Sequence, residues 1–241
     1  MGDGGGRPGR GVLRWRHDDG QGAFAGFGDE AYDFYLGLAA DNSKDYWNGH
    51  KQVYERAVRE PMQALLEQLA PEFDAKPSMF RPYRDIRFSQ DKSPYKTHQG
   101  ALLNVAPGVG YYLSLDADGI YVGGGFHTQQ RDQTKRFRAA IDQDVAGADL
   151  EAIVAKLEKR GLEIGGAQVR TRPRGVPADH PRLELMRREY ITAGRAVAPA
   201  EAGGAGFVGV VRKDWRTITP LVEWIMKYAA PSSEAEAAGT G

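Results

Sequence analysis

The residue types best suited to chemistry lie in one segment, between Arg81 and His98. Arginine presents a planar fork of donors that matches phosphate and carboxylate groups, and lysine adds a mobile point charge. The segment therefore predicts a site for an anionic small ligand. Its charged side chains are five cations and two carboxylates, at Arg81, Arg84, Arg87, Lys92, Lys96, Asp85 and Asp91.

Strand alternation would give these side chains a common direction. We expect a strand over residues 83–88, which places Asp85 and Arg87 on one face. Asp85 would orient the Arg87 guanidinium, and Pro94 would stiffen the loop that returns Lys96 toward it. We therefore predict that Arg87 and Lys96 hold the anion. The complete set of ligand contacts predicted in this segment is Arg84, Asp85, Arg87, Asp91, Lys92, Tyr95 and Lys96.

Two side chains near the end of the segment can transfer protons. Tyr95 and His98 are candidate proton donors, and general acid catalysis is the most that these residue types support. The chain has no cysteine, which excludes disulfides, thiol nucleophiles and thiolate zinc sites. The histidine spacing predicts no metal site, and no hydrolase or kinase signature is present. The residues identify no cofactor and leave open whether the protein is an enzyme.

A second basic group belongs to a helix expected over residues 130–142. Arg131, Lys135 and Arg138 follow the spacing i, i+4, i+7 and share one helical face. Like charges at this spacing repel one another, and a bound anion would relieve the repulsion. We predict Arg131 and Arg138 as further ligand contacts, with a solvated helix face as the alternative.

Two other functions stay open. The first is a nucleic-acid or protein interaction module, with a continuous basic stripe over the 81–98 segment, residues 131–138 and residues 170–174. Tyr111, Tyr112 and Tyr121 would provide its stacking surfaces. The balance of 32 basic and 32 acidic residues counts against this module. The second is a structural role, in which Arg–Asp pairs tie the strand to a helical layer or lie at a sheet edge.

The elements that must position these residues can be read from hydrophobic periodicity. The spacing of apolar residues predicts helices at both ends of the chain. Pro61 is expected to begin the third helix, and Gly161 to stop the fifth. The expected helices cover residues 29–40, 44–58, 61–69, 130–142, 150–157, 180–189 and 215–228, and a Gly/Ala loop covers 200–206.

Strand patterns occupy the centre of the chain. Apolar alternation predicts strands over 101–105, 111–115 and 120–122, in addition to 83–88 and a short strand at 167–170. Short connections require neighbouring strands to be antiparallel. The fold class predicted is α+β, an antiparallel sheet with a central meander covered by N-terminal and C-terminal helices.

Composition also sets the domain boundaries. Residues 1–22 and 229–241 have no periodic apolar pattern, so we expect two disordered tails around one domain over 23–228. No stretch approaches the apolar length of a membrane span, and residues 1–22 lack the apolar core of a secretory signal.

The central segment also resembles a known family signature. Residues 85–96 read DIRFSQDKSPYK and are similar to the pattern D-x-R-F-S-x-D-K-x-P-Y-K of the bacterial and fungal family called domain of unknown function 2461. Residues 47–51, 179–187 and 220–224 resemble its other blocks, so the likeness covers about residues 24–228. The pair Tyr46-Trp47 departs from the expected Trp-Phe type, which affects packing rather than chemistry.

The resemblance implies a single intracellular α+β domain, which we expect to be cytoplasmic. It supplies no established activity, cofactor or catalytic residue. We expect an anionic small molecule as the partner, consider nucleic acid a weaker candidate and expect no membrane partner.

Overall fold

A computed structural model describes residues 23–85, 87, 90–127 and 131–230. The predicted tail over 1–22 and residues 231–241 of the other tail lie outside the described residues. Ala229 is fully buried, and the Ala230 carbonyl accepts a hydrogen bond from Arg136. These two residues, which follow the predicted boundary at 228, therefore contact the rest of the described structure.

The N-terminal layer is helical. Apolar spacing buries Ala31, Phe34 and Leu38 on one side of the first helix. The Ser43 side chain accepts from the Tyr46 N–H and caps the second helix. The elements are α1 (Asp29–Ala40), α2 (Lys44–Val53), a π-helical segment (Tyr54–Arg59), α3 (Glu60–Leu69) and a 3₁₀ turn (Ala70–Phe73).

The break expected before Pro61 is instead a wide turn inside one continuous helix. Proline has no N–H, and its ring crowds the carbonyl one turn earlier, which disrupts regular α-helix. The π-helical segment ends directly before this position, and the Glu60 N–H donates to the carbonyl of Glu55, five residues back. The wider turn accommodates the proline, so residues 44–69 stay helical.

Six antiparallel strands form one sheet in the order β1-β2-β3-β4-β6-β5. The predicted α+β class and its central meander, β2-β3-β4, are confirmed. The strands are β1 (Lys76–Met79), β2 (Gln99–Ala106), β3 (Val109–Leu115), β4 (Ile120–Phe126), β5 (Glu163–Gly165) and β6 (Thr192–Val197).

The C-terminal half adds five helices to the described structure. Gly161, with φ +80°, follows the end of α5 as predicted. The helix expected over 180–189 shortens to α6, while the last helix begins at Phe207 rather than at 215. The helices are α4 (Arg131–Asp142), α5 (Asp144–Lys159), α6 (Leu183–Met186), α7 (Pro199–Ala202) and α8 (Phe207–Tyr228).

Two predicted strands are wrong. Within 83–88, the described residues contain only an isolated bridge from Tyr83 to Tyr95, and 167–170 contains one from Gln168 to Arg188. The sheet instead uses β5 and β6. Apolar alternation does not predict β6, because a charged residue, Arg195, lies on the face of this strand that packs against the helices. Arg195 Nε donates to the Asp214 carboxylate of α8 at 2.8 Å.

The main core lies between one face of the sheet and the helices. Trp215 of α8 is fully buried, with its ring centroid 5.4 Å from that of Tyr111 on β3. Trp47, Tyr54 and Trp224, which the sequence places in the core, are each at most 4% exposed. Their aromatic area joins α2, the π-helical segment and α8 to the same hydrophobic cluster.

Trp224→Ala should destabilise the fold by about 3–5 kcal/mol, because it removes a large buried aromatic ring. The variant also loses the 2.9 Å hydrogen bond from Trp224 Nε1 to the Ala146 carbonyl. Urea unfolding followed by circular dichroism measures the change, with Val145→Ala, at a side chain 74% exposed, as the control. Equal midpoints for both variants would contradict this core assignment.

Candidate functional site

In the signature segment, the described residues 82–85 and 90–96 pair as the two arms of a short hairpin, the motif hairpin. Its arms are joined by backbone hydrogen bonds from the Arg84 N–H to the Pro94 carbonyl, at 2.9 Å, and from the Lys96 N–H to the Pro82 carbonyl, at 2.8 Å. The chain thus leaves the base at Pro82 and returns to it at Lys96. These bonds replace the sheet strand that alternation predicts.

Tyr95 anchors the motif hairpin to the helical layer. Its ring stacks on Trp47 with centroids 4.5 Å apart and planes 9° apart. The Asn42 side chain contacts the Tyr95 backbone twice: Nδ2 donates to the carbonyl at 3.1 Å, and Oδ1 accepts from the N–H at 3.0 Å. Burial, followed by the neighbouring Tyr83, raises the pKa of Tyr95, so this candidate proton donor is a protonated packing residue at neutral pH.

The predicted pairing of Asp85 with Arg87 is present, but a turn produces it. Arg87 donates from Nε and Nη2 to the two carboxylate oxygens at 3.0 and 2.7 Å, and its backbone N–H also donates to Oδ1. The side-chain bonds from Arg87 hold the pKa of Asp85 below its ordinary value. Both side chains are well exposed, and screening by water weakens such pairs.

A second carboxylate neutralises another cation of the motif hairpin. Arg84 forms an ion pair with Asp91. Asp91 also accepts hydrogen bonds from the Ser93 N–H and hydroxyl, which lower its pKa, as the nearby Arg84 also does. Lys92, beside Asp91, is exposed. Arg84 and Arg87 are therefore each paired with a carboxylate of the hairpin rather than free to form a cluster of cations.

Lys96 and His98 lie at the base of the hairpin. The Lys96 ammonium lies 5.6 Å from the ring centroid of Phe80. Burial, followed by Lys96, lowers the pKa of half-buried His98, with a smaller lowering from Arg84 and an opposing effect from Asp116. The imidazole is therefore neutral at pH 7. Lys96 is at the base of the hairpin and Arg87 lies beyond its paired arms, so their joint contact with an anion stays a prediction.

The basic row of α4 does line a cleft, the α4 cleft, of about 600 Å³. The i, i+4, i+7 spacing places three cations along one wall, and a segment after α6 forms the other. The ring centroids of His127 and Tyr190 are 4.4 Å apart. The lining residues are His127, Arg131, Thr134, Lys135, Arg138, Glu189 and Tyr190.

Arg138 has an unfilled hydrogen-bonding position. Its Nε donates to the Met186 carbonyl at 2.9 Å, whereas Nη2 is buried and bonds to none of the described residues. Burial lowers the pKa of Arg138, and the nearby Glu189 carboxylate opposes this effect. A buried charged donor without a partner is costly, so this nitrogen favours an acceptor beyond those that the described residues supply.

The motif hairpin and the α4 cleft lie at opposite ends of the sheet. β2 begins after the hairpin at Gln99, which pairs with Leu115, while β4 ends at Phe126, which pairs with Val109. These ends are about 20 Å apart at the rise of a strand. The motif hairpin and the basic row of α4 are therefore two separate groups of cations.

The stacking surface expected for the nucleic-acid alternative is divided. Tyr111 is 3% exposed under α8, and its hydroxyl lies 3.0 Å from the Thr219 hydroxyl. Tyr112 and Tyr121 lie on the opposite face of the sheet, as alternation requires. The three tyrosines therefore do not form one surface.

A third basic region lies between α5 and α8, and the sequence reasoning missed it. The runs KLEKR at 156–160 and RKDWR at 212–216 contain its cations. Each run read alone resembles a solvated helix face. The structure shows that the two runs lie on neighbouring helices, α5 and α8, and line the same groove.

Two classes of site are not found among the described residues. No group of histidine, aspartate and glutamate side chains there could hold a metal ion. No helix in this part of the chain has the length and apolar character needed to cross a membrane.

The protein is therefore of the α+β class, and its motif hairpin leads into an antiparallel sheet. Within that class, the family model described as “Conserved hypothetical protein (DUF2461)” matches residues 30–224, and the chain belongs to this family. The match spans the motif hairpin and the α4 cleft, and it confirms the family resemblance. No curated protein matches the chain.

Asn42→Ala should release the motif hairpin without unfolding the protein. Two partly buried hydrogen bonds are lost, each worth about 0.5–1.5 kcal/mol. Hydrogen exchange followed by mass spectrometry should show faster exchange over residues 82–96. Asn48→Ala, at an exposed position of α2, is the matched control. If hydrogen exchange in the hairpin were unchanged, the stacking of Tyr95 on Trp47 alone would hold the hairpin in place, which would contradict the prediction.

Lys96→Gln should raise the pKa of His98, because it removes a nearby positive charge that disfavours the imidazolium. An NMR titration of the histidine ring protons measures the change, with Lys51→Gln as the control. In the parent, His98 should titrate below its ordinary value of 6.5. Since the unfolded chain binds this proton more tightly, His98 should lower stability as the pH falls through about 6.5. A pKa that Lys96→Gln leaves unchanged would contradict the arrangement at the hairpin base.

Proposed function

We propose that this protein binds a small anionic ligand, bearing a phosphate or carboxylate group, in the α4 cleft. The observation that carries the proposal is the buried Nη2 of Arg138, which has no hydrogen-bond partner among the described residues. An anionic oxygen at this nitrogen would supply the missing acceptor and compensate the guanidinium charge.

The charge of the cleft supports an anion. Three cations, Arg131, Lys135 and Arg138, line it together with one carboxylate, Glu189. A row of cations on a fully solvated helix face would keep all of its donors in contact with water. The burial of the Arg138 nitrogen distinguishes this row from such a face.

The shape of the cleft supports a small ligand. Small-molecule sites commonly have volumes of about 300–1,000 Å³, and this cleft has about 600 Å³. His127 and Tyr190 provide ring surfaces beside the cations, against which an uncharged part of the ligand would pack. The proposal is a binding function and assigns no reaction.

The motif hairpin is the second candidate, with its base as the relevant part. Among the described residues, no carboxylate lies within ion-pair distance of Lys96. Half-buried His98 is nearby. The pairing of Arg84 and Arg87 with carboxylates counts against the hairpin as a whole. We assign those pairs to the conformation of the hairpin.

Thermal unfolding with and without an added anion tests the proposal. Inorganic phosphate and citrate are the probes, and a native-state ligand at 100 times its Kd stabilises by about 2.7 kcal/mol. The double variant Arg131→Gln/Lys135→Gln should keep the parent melting temperature, because both side chains are exposed, and lose the anion-induced shift.

Two control variants locate the binding site. Lys44→Gln/Lys51→Gln removes the same charge from α2 and should keep the shift. Lys96→Gln should also keep it, whereas loss of the shift in that variant alone would move the site to the hairpin base. Absence of any shift in the parent with millimolar phosphate or citrate would overturn the proposal.

A further inference from the structure

A groove between α5 and α8, the α5–α8 groove, has a volume of about 810 Å³. It shares no lining residue with the α4 cleft. Its most distinctive feature is charge: six lining side chains are cationic and none is acidic. These cations are Lys156, Lys159, Arg160, Arg212, Lys213 and Arg216.

The cations form two facing groups. One group comes from the last turn of α5 and its C-cap, and the other comes from the first half of α8. The whole chain is balanced at 32 basic and 32 acidic residues, so the groove is a local excess of positive charge. Bringing two groups of like charges together is unfavourable unless an anion lies between them.

Among the described residues, carboxylates neutralise one flank of the groove. Glu72 accepts from Arg212 Nε at 2.7 Å and from Arg216 Nε at 2.8 Å. The other four cations have no carboxylate within ion-pair distance in the part of the chain that the structure describes. Those four are Lys156, Lys159, Arg160 and Lys213.

The floor of the groove is apolar and open. Ile153 and buried Leu157 come from α5, and Gly209 and Pro220 come from α8. A side chain at Gly209 would meet no atom within 4 Å, so this position leaves space above the floor. The groove is therefore a concave surface with a charged rim.

Helix electrostatics explain part of the cluster. Cations in the last turn of α5 complement the negative end of its dipole. This effect does not account for Arg212, Lys213 and Arg216, which lie in the first half of α8. Glu72 compensates Arg212 and Arg216, so Lys213 is the member of the facing group that neither the dipole nor this carboxylate explains.

We propose that the α5–α8 groove binds a small molecule carrying two or more phosphate groups. Several phosphates match a site with four cations that lack carboxylate partners, whereas a single phosphate or carboxylate would leave most of them uncompensated. Arg160 offers a planar fork to one phosphate, and the lysines are mobile point charges that reach others. The volume lies within the range of small-molecule sites.

Titration calorimetry with sodium tripolyphosphate tests the inference. The parent should bind, and the triple variant Lys156→Gln/Lys159→Gln/Lys213→Gln should lose affinity by about tenfold or more while keeping the parent melting temperature. The control Lys44→Gln/Lys51→Gln/Lys76→Gln has the same loss of charge and should bind as the parent does. Equal affinity in both triple variants, or no binding to the parent, would overturn the inference.

The experiment also separates this groove from the α4 cleft. Arg131→Gln/Lys135→Gln should leave the tripolyphosphate affinity of the groove unchanged. If that double variant alone abolished binding, tripolyphosphate would occupy the α4 cleft, which would overturn the groove inference and leave the proposed function standing. If phosphate and citrate failed to shift the melting temperature of the parent while the groove still bound tripolyphosphate, the proposed function would be overturned and the groove inference would stand.

Two further probes distinguish the sources of phosphate. A ten-nucleotide oligothymidylate presents a nucleic-acid backbone, and phosphatidylcholine vesicles with or without a phosphatidylinositol bisphosphate present a lipid headgroup. Binding of either probe through the groove without binding of tripolyphosphate would overturn the small-molecule inference. Tripolyphosphate binding that is stronger than both, and lost in the groove variant, supports it.

Discussion

The hydrogen bonds between the Asn42 side chain and the Tyr95 backbone connect the two halves of the molecule. They join the loop after α1 to the motif hairpin, and the Trp47 ring stacked on Tyr95 excludes water from the same contact. The hairpin leads directly into β2, where buried Gln99 accepts a 2.6 Å hydrogen bond from the Tyr54 hydroxyl. The position of the helical layer therefore determines where the hairpin and this end of the sheet lie.

Charge is distributed unevenly in a chain that is neutral overall. Within the motif hairpin, Arg84 and Arg87 each contact a carboxylate a few residues away, so local chain geometry satisfies them. In the α4 cleft and the α5–α8 groove, cations lie together with few or no acidic neighbours. Tertiary packing creates these local excesses. They are the surfaces at which anionic ligands have the most to contribute.

For the signature segment, the family resemblance is confirmed but the predicted strand is wrong. The family model that matches residues 30–224 confirms the resemblance first suggested by this segment, and the pairing of Asp85 with Arg87 follows from their separation of two residues. Strand alternation nevertheless fails there, because two short arms bonded to each other replace pairing with the sheet. As a result, Arg87 and Lys96 are at different ends of the hairpin, although only nine positions separate them.

The sequence by itself determined the α+β class, the central meander and the buried aromatic positions, because these depend on local hydrophobic periodicity and short turns. It also predicted the row on α4, since i, i+4, i+7 spacing is a property of one helix. Only the tertiary structure decided that a buried nitrogen of Arg138 has no partner among the described residues and that Lys156 lies across a groove from Lys213. Such features depend on contacts between residues distant in sequence, which no local pattern encodes.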